Sequence, residues 1–406
     1  MISCSRTLRL ASLFVLALVT APVVTQSLPQ TGAAGKTPPA ASLPPWPQKM
    51  IHFSDEKAIL GLPPVNNGSV VHCSNEGTFF VDLSALSADF SSSGSMVSPE
   101  FFSVSPGGEV KSLQRKMPSD FIDISLRDFF VADHTLVTLL EGVQPNEQTD
   151  QSAPRDVHYF LSLSNYDGSF AKLISLNLRF KPLKVALFGS DDFLVLGWDE
   201  TNLVPQLALL KEDGTIRRFV DLDYRRHPEF FATYGSMKEA ESSEQGRATL
   251  SLLQRAEFVP YGSQVLLTYP GTARPISVLS AVGEDRSIPI DLPRGFVLHD
   301  VLTSSPSYPL ILRAQPAEVS GNPAPVAEVN RSQRLFEMNS HNGSLLKEFL
   351  FDKPRLDAVK CASTSTLTAI FYDTAAGVSH PGASSDQTKP LENATQLVIG
   401  TARWAD

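Results

Sequence analysis

Apolar runs alternate along this chain with short polar turns, and five of the turns are built alike: Ser105–Glu109, Asn165–Ser169, Lys211–Thr215, Val282–Arg286 and Ser340–Ser344. Each holds a glycine, and three read Asp-Gly or Asn-Gly, the pairs that supply the positive φ angles of tight hairpins. Phe160, Leu161 and Leu163 before such a turn, with Phe170, Leu173 and Ile174 after it, therefore predict two antiparallel strands. From Gly108 to Gly343 the turns recur every ~59 residues, so residues 49–406 hold about six such units.

Four strands, A to D, fit around each turn. The clearest unit predicts A over Leu183–Phe188, B over Phe193–Trp198, C over Gln206–Leu210 and D over Ile216–Leu222. A sixth unit runs through Leu356–Cys361, Leu367–Tyr372 and Thr395–Arg403 without a fourth strand, and Lys49–Phe53 is expected to supply it. The predicted fold is all-β: a six-bladed β-propeller closed by an N-terminal strand joining the last blade, which removes exposed sheet edges. A pair of β-sandwich domains is the alternative.

This periodicity, with C–D turns such as Lys211-Glu212-Asp213-Gly214-Thr215, resembles the six-bladed β-propeller superfamily of TolB-like and NHL-like proteins over residues 49–406. That group includes hydrolases, lyases, lactonases and non-catalytic scaffolds, so the resemblance implies a fold and no single activity. Lactonase-like members gather Asp, Asn and Glu around a divalent cation in the central channel. Here the strand-A acids Asp123, Asp128, Glu257, Asp300 and Asp357 do not recur in one column.

Residues 1–27 read as a signal peptide, with Arg6 and Arg9 before the apolar run Leu10–Val19 and a cleavage site near Gln26–Leu28; an uncleaved anchor is the alternative. Residues 28–48 read as a Pro-rich linker and 49–406 as the propeller domain. The expected location is secreted or extracytoplasmic (periplasmic in a Gram-negative bacterium), with no stable membrane insertion after cleavage and a monomeric state. A net charge of −9 and a pI near 5.4 argue against a nucleic-acid partner. The eight histidines show no metal-ligand spacing, and no cofactor motif is present. Gly377–Gly382 has Pro where a nucleophile elbow needs its second Gly, so no catalytic residue is assigned. Asn67, Asn330, Asn342 and Asn393 head glycosylation sequons.

In a propeller the B–C loops and blade connections share one face, and here they hold most of the irregular sequence. The connection Asp223–Gln254 carries His227, Glu229, Phe230 and Tyr234, followed by a helix-forming stretch at Ser236–Glu244. With Trp198 and Asp199, expected on the same face, these form the candidate ligand-binding set; a helical cap over blades three and four is the competing reading. The favoured function is a non-catalytic exported protein that binds a protein or carbohydrate through this face. The alternative is a secreted hydrolase or lyase with residues from several blades. Acids or histidines converging at the channel mouth would favour the enzyme, and a channel plugged by Phe and Val the scaffold. Cys73 and Cys361 occupy equivalent strand-A positions in blades one and six, which makes a disulfide possible; otherwise they are two small buried residues.

Overall fold

The computed structural model describes residues 46–62, 70–82, 101–113, 118, 121, 123–132, 134–144, 156–189, 192–221, 235–302, 306–317, 333–351, 358–362, 366–372 and 397–404. Two strands come first, β1 (Gln48–Ile51) and β2 (Ser54–Ile59). Blade one follows as β3 (Val70–Cys73), β4 (Phe79–Asp82), β5 (Phe101–Val104) and β6 (Val110–Ser112). Blade two is β7 (Asp123–Val131), β8 (Thr135–Val143), β9 (Val157–Asn165) and β10 (Phe170–Leu176). Blade three is β11 (Lys181–Phe188), β12 (Asp192–Asp199), β13 (Val204–Leu210) and β14 (Ile216–Phe219). Helices α1 (Met237–Ser242) and α2 (Glu244–Arg255) lead into blade four, made of β15 (Glu257–Tyr261), β16 (Gln264–Thr268), β17 (Ile276–Ser280) and β18 (Gly283–Ile288). Blade five is β19 (Phe296–Val301), β20 (Leu310–Pro316), β21 (Arg334–Met338) and β22 (Leu345–Phe351). Blade six contributes β23 (Ala358–Ala362), β24 (Thr366–Tyr372) and β25 (Leu397–Arg403).

Within each blade the consecutive strands pair antiparallel in chain order, with β1 and β2 added to the outer edges of blades five and six, and the six sheets form a six-bladed β-propeller. Middle strands are buried on both sides because each blade packs between two others. Phe193 to Asp199 in β12 are buried without a break, so these strands read as continuous apolar runs and not as alternation.

The turn repeat has a definite geometry. Gly214 N–H donates to Lys211 O (2.9 Å) and Lys211 N–H to Thr215 O (2.9 Å), with Gly214 at φ +82°. Only the glycine of this turn has a positive φ, so it is a type I turn closed by a left-handed glycine and not a two-residue mirror-image turn. The same pair of bonds recurs around Gly108 and Gly168. Blade four differs: Ser280 pairs directly with Gly283, and the fourth strand starts at Gly283, where the sequence predicts it at Ser287.

Closure of the ring corrects the expected segment. The fourth strand of blade six is β2, paired antiparallel with β25, and not Lys49–Phe53. The earlier strand, β1, lies parallel on β22 as a fifth strand of blade five. Apolar residues decide the matter. Ile51 is buried with Phe349 and Trp404, and the Phe53 ring lies 5.8 Å from Phe351 of blade five and 4.8 Å from Phe371 of blade six. This stretch fills the seam between two blades, which leaves the polar Ser54–Ile59 to form the outer strand. Trp46 already packs on Phe336 at 5.8 Å, edge to face.

A disulfide joins Cys73 of β3 to Cys361 of β23, with the Cα atoms 6.0 Å apart and 288 residues between them in sequence. Blades one and six are thus joined covalently where β2 also closes the ring.

Candidate functional site

Charged and polar side chains converge from the innermost strands of five blades. His72 comes from β3, Asp128 from β7, Lys184 from β11, Glu257 from β15 and Asp300 from β19, with Arg313 from the neighbouring β20. Asp300 and Lys184 both act electrostatically on His72 and on Glu257, which places the group around one central channel. On the inner strand of blade six, the residue before Cys361 is Lys360, as His72 is the residue before its disulfide partner Cys73.

Local irregularity assembles this group. The pairing register slips between Leu126 and Asp128, between Pro182 and Lys184, and between Leu298 and Asp300. One extra residue at each place reverses the side-chain alternation from there on, so three of the five channel residues follow directly after a bulge. The acids that show no common column in the sequence, Asp128, Glu257 and Asp300, are brought together in this way. What could have found them is the recurrence of at least one ionisable residue in every predicted strand A, counting Lys, Arg and His along with the acids.

Two ion pairs account for most of the charge. The Asp128 carboxylate accepts from Val185 N–H (2.9 Å) and lies 3.5 Å from Lys184 Nζ, tying blade two to blade three. Burial pushes its pKa up, against the pull of Lys184. Asp300 accepts from Arg313 Nε (3.0 Å) and from a terminal guanidinium nitrogen of the same residue, with His299 Nδ1 at 3.4 Å. Burial would raise the Asp300 pKa, but Arg313 and His299 outweigh it and hold the carboxyl well below the usual carboxylate range.

The other two groups are unspent. Neither the His72 imidazole nor the Glu257 carboxyl has a hydrogen-bond partner among the described residues; the His72 ring rests edge-on against Phe129, centroids 4.6 Å apart. Burial and then Asp300 push the Glu257 carboxyl up to about 7, with Lys184 opposing. Burial and then Lys184 lower the His72 imidazole to about 4, with Asp300 opposing. The channel therefore holds an imidazole disposed to be neutral and a carboxyl that keeps its proton to an unusually high pH, beside two ion pairs. Both free groups can donate and accept hydrogen bonds. Among the described residues no cluster of three or more His, Cys, Asp or Glu side chains is placed to hold a metal ion.

Of the sequence-predicted ligand residues, the two that are described, Trp198 and Asp199, have structural roles of their own. Trp198 is 2% exposed and packs in the core with Leu203, Leu252 and Leu253. Asp199 holds the following turn together: it accepts from Thr201 N–H (2.9 Å), Asn202 N–H (2.9 Å) and the Asn202 side-chain amide (2.7 Å). His227, Glu229, Phe230 and Tyr234 lie outside the described residues. The end of their connection is helical for longer than the sequence suggests. Ser236 caps α1, Ser243 caps α2, and α2 runs to Arg255, two residues before Glu257. A Cβ on Gly246 would stand 1.8 Å from Ala240 O, so only glycine allows the two helices to meet this closely.

No family profile and no curated protein sequence matches the chain. Among solved structures, a member of the DUF4221 family from Bacteroides vulgatus aligns over 87% of this chain and 97% of its own, at 10% identity and a TM-score of 0.42. A mutant Trypanosoma rangeli sialidase displaying trans-sialidase activity aligns over 86% of this chain and 57% of its own, at 10% identity and a TM-score of 0.41. A puromycin-hydrolyzing peptidase from Mycobacterium tuberculosis aligns over 75% and 42%, at 11% identity and a TM-score of 0.37. The chain spans a little over half the length of the sialidases it matches.

Proposed function

We propose that this protein is an exported propeller that binds a small polar molecule in its central channel. The observation that carries this reading is the pair His72 and Glu257, polar groups on the inner strands of blades one and four that have no side-chain hydrogen-bond partner among the described residues. Polar groups drawn away from solvent are ordinarily paired, so two half-buried ones with no partner among the described residues suit a ligand that completes them. Export is supported by the signal-like N-terminus and by the Cys73–Cys361 disulfide, a bond that persists in oxidising compartments. The connection carrying His227, Glu229, Phe230 and Tyr234 stays in this proposal as a recognition segment on its sequence alone.

A second reading, a hydrolase or lyase, is favoured by one specific observation. Acids and a histidine converge on the inner strands, as an enzyme requires, and a carboxyl pushed up to about 7 is suited to giving and taking protons at physiological pH, although the His72 imidazole, lowered to about 4, is a weak base there. A thermal-shift screen of polar metabolites against the wild type and against His72→Ala/Glu257→Ala tests the binding reading. The expected result is a set of compounds that stabilise the wild type and not the double variant; compounds that stabilise both equally would remove the channel from consideration. Turnover of any hit, followed by mass spectrometry, separates binding from catalysis.

A further inference from the structure

We propose that the channel ligand is a neutral, polyhydroxylated molecule of the sugar class, held by His72 and Glu257 and not by the channel's ion pairs. The inference rests on the channel-binding reading and adds the chemistry of the ligand.

The first step is a count of what is already used. Arg313 grips Asp300 through two nitrogens, and Lys184 faces Asp128, whose second oxygen is taken by Val185 N–H. Among the described side chains, a ligand carboxylate would have to break one of these pairs to gain a counter-ion, and would meet three protein carboxyls, Asp128, Glu257 and Asp300, while doing so. Breaking a buried pair leaves an uncompensated charge and costs several kcal/mol, on the order of 3 to 5. A ligand ammonium finds Glu257, but in a channel where Lys184 and Arg313 already act on that same carboxyl. Neither sign of ligand charge is served by the described side chains.

The second step is what remains. A neutral imidazole presents one donor and one acceptor, and a carboxyl accepts through its oxygens and donates when protonated. The hydroxyl is the ligand group that matches such partners in either direction without requiring a fixed charge, and several hydroxyls on one rigid ring can reach two partners on different blades together. Edge-on contact with Phe129 leaves the His72 ring with an apolar neighbour on one side, so a ligand can be its polar partner.

Isothermal titration calorimetry of the whole mature protein against matched rings decides the point: glucose and galactose as neutral members, their uronic acids and their 2-amino counterparts. The expected ranking has a neutral member binding about tenfold more tightly than either charged counterpart, a factor worth ~1.4 kcal/mol. His72→Ala should weaken that binding about tenfold or more, with the circular dichroism spectrum unchanged. Tighter binding of the acid or the amine, still lost in His72→Ala, would overturn the ligand class and leave the channel reading standing. Sugar binding indifferent to His72→Ala and Glu257→Ala would overturn both, and no binding by any ring would overturn the class. The wild-type ranking needs no variant, so a misfolded mutant does not remove the test.

Discussion

His72 and Glu257 face the same channel, and their surroundings move them in opposite directions. The Glu257 carboxyl titrates near 7 in the folded protein and near 4.5 in an unfolded chain. Between those values the native state binds the extra proton, so its contribution to stability is full below about pH 4.5 and is lost as the pH rises through about 7. For His72 the folded value is near 4 and the unfolded one 6.5. Here the unfolded chain binds the extra proton, so stability rises with pH between the two values and is lost on acidification toward pH 4. The two slopes oppose each other over most of this range, and single substitutions should unmask them. In urea titrations, Glu257→Gln is expected to become more stable, relative to wild type, as the pH goes from 5 to 7, and His72→Gln relatively less stable over the same range. Parallel pH profiles for all three proteins would show that neither group is perturbed by the channel. In the sequence the pair is hard to see because it belongs to no linear motif. His72 and Glu257 are 185 residues apart, and bulges before Asp128, Lys184 and Asp300 break the two-residue period on which a column of side chains is normally read.

At the scale of elements, the turns were the legible part. A glycine held at positive φ between two apolar runs marks the C–D hairpin in blades one, two, three and five, at Gly108, Gly168, Gly214 and Gly343. Gly214 is also wedged against blade two, where an added Cβ would stand 2.7 Å from Ile174 and 2.9 Å from Ser175 O. Gly214→Ala therefore combines backbone strain with a clash, and a loss of about 1 to 3 kcal/mol in denaturant unfolding is expected; a loss within ~0.5 kcal/mol would mean the turn relaxes freely. The closing strand was hidden for a simple reason. Of Ser54–Ile59 only Ile59 is buried, so β2 shows no apolar alternation, whereas Lys49–Phe53 carries the apolar signal but spends it on the seam between blades. Removing residues 46–59 would expose the β25 edge and the Phe351–Phe371 seam. That truncation should aggregate or melt far below a protein starting at residue 46, and equal melting temperatures would contradict the closure described.

For the whole molecule, ring closure and the channel share a hinge point. The disulfide at Cys73 follows His72 directly, so the bond that fastens blade one to blade six also fixes one wall of the channel. Cys73→Ser/Cys361→Ser is expected to lose up to ~4 kcal/mol of stability, less than a full loop-entropy estimate because β2 closes the ring independently, and to weaken ligand binding along with it. Unchanged stability would mean that strand pairing alone holds the ring. The six-bladed architecture was readable because each blade repeats a pattern that a single strand cannot satisfy alone. The channel chemistry was not, because it exists only once five inner strands meet.

The most direct measurement is the imidazole nuclear magnetic resonance spectrum of the protein, with the His72 signal assigned by its absence in His72→Ala. Addition of a ligand found in the screen is predicted to shift the His72 signal while leaving those of His134 and His341, on exposed turns, in place. Before ligand is added, the His72 ring should stay neutral until the pH falls to about 4. A His72 that titrates near 6.5 and does not respond to a bound ligand would contradict the channel as the functional site.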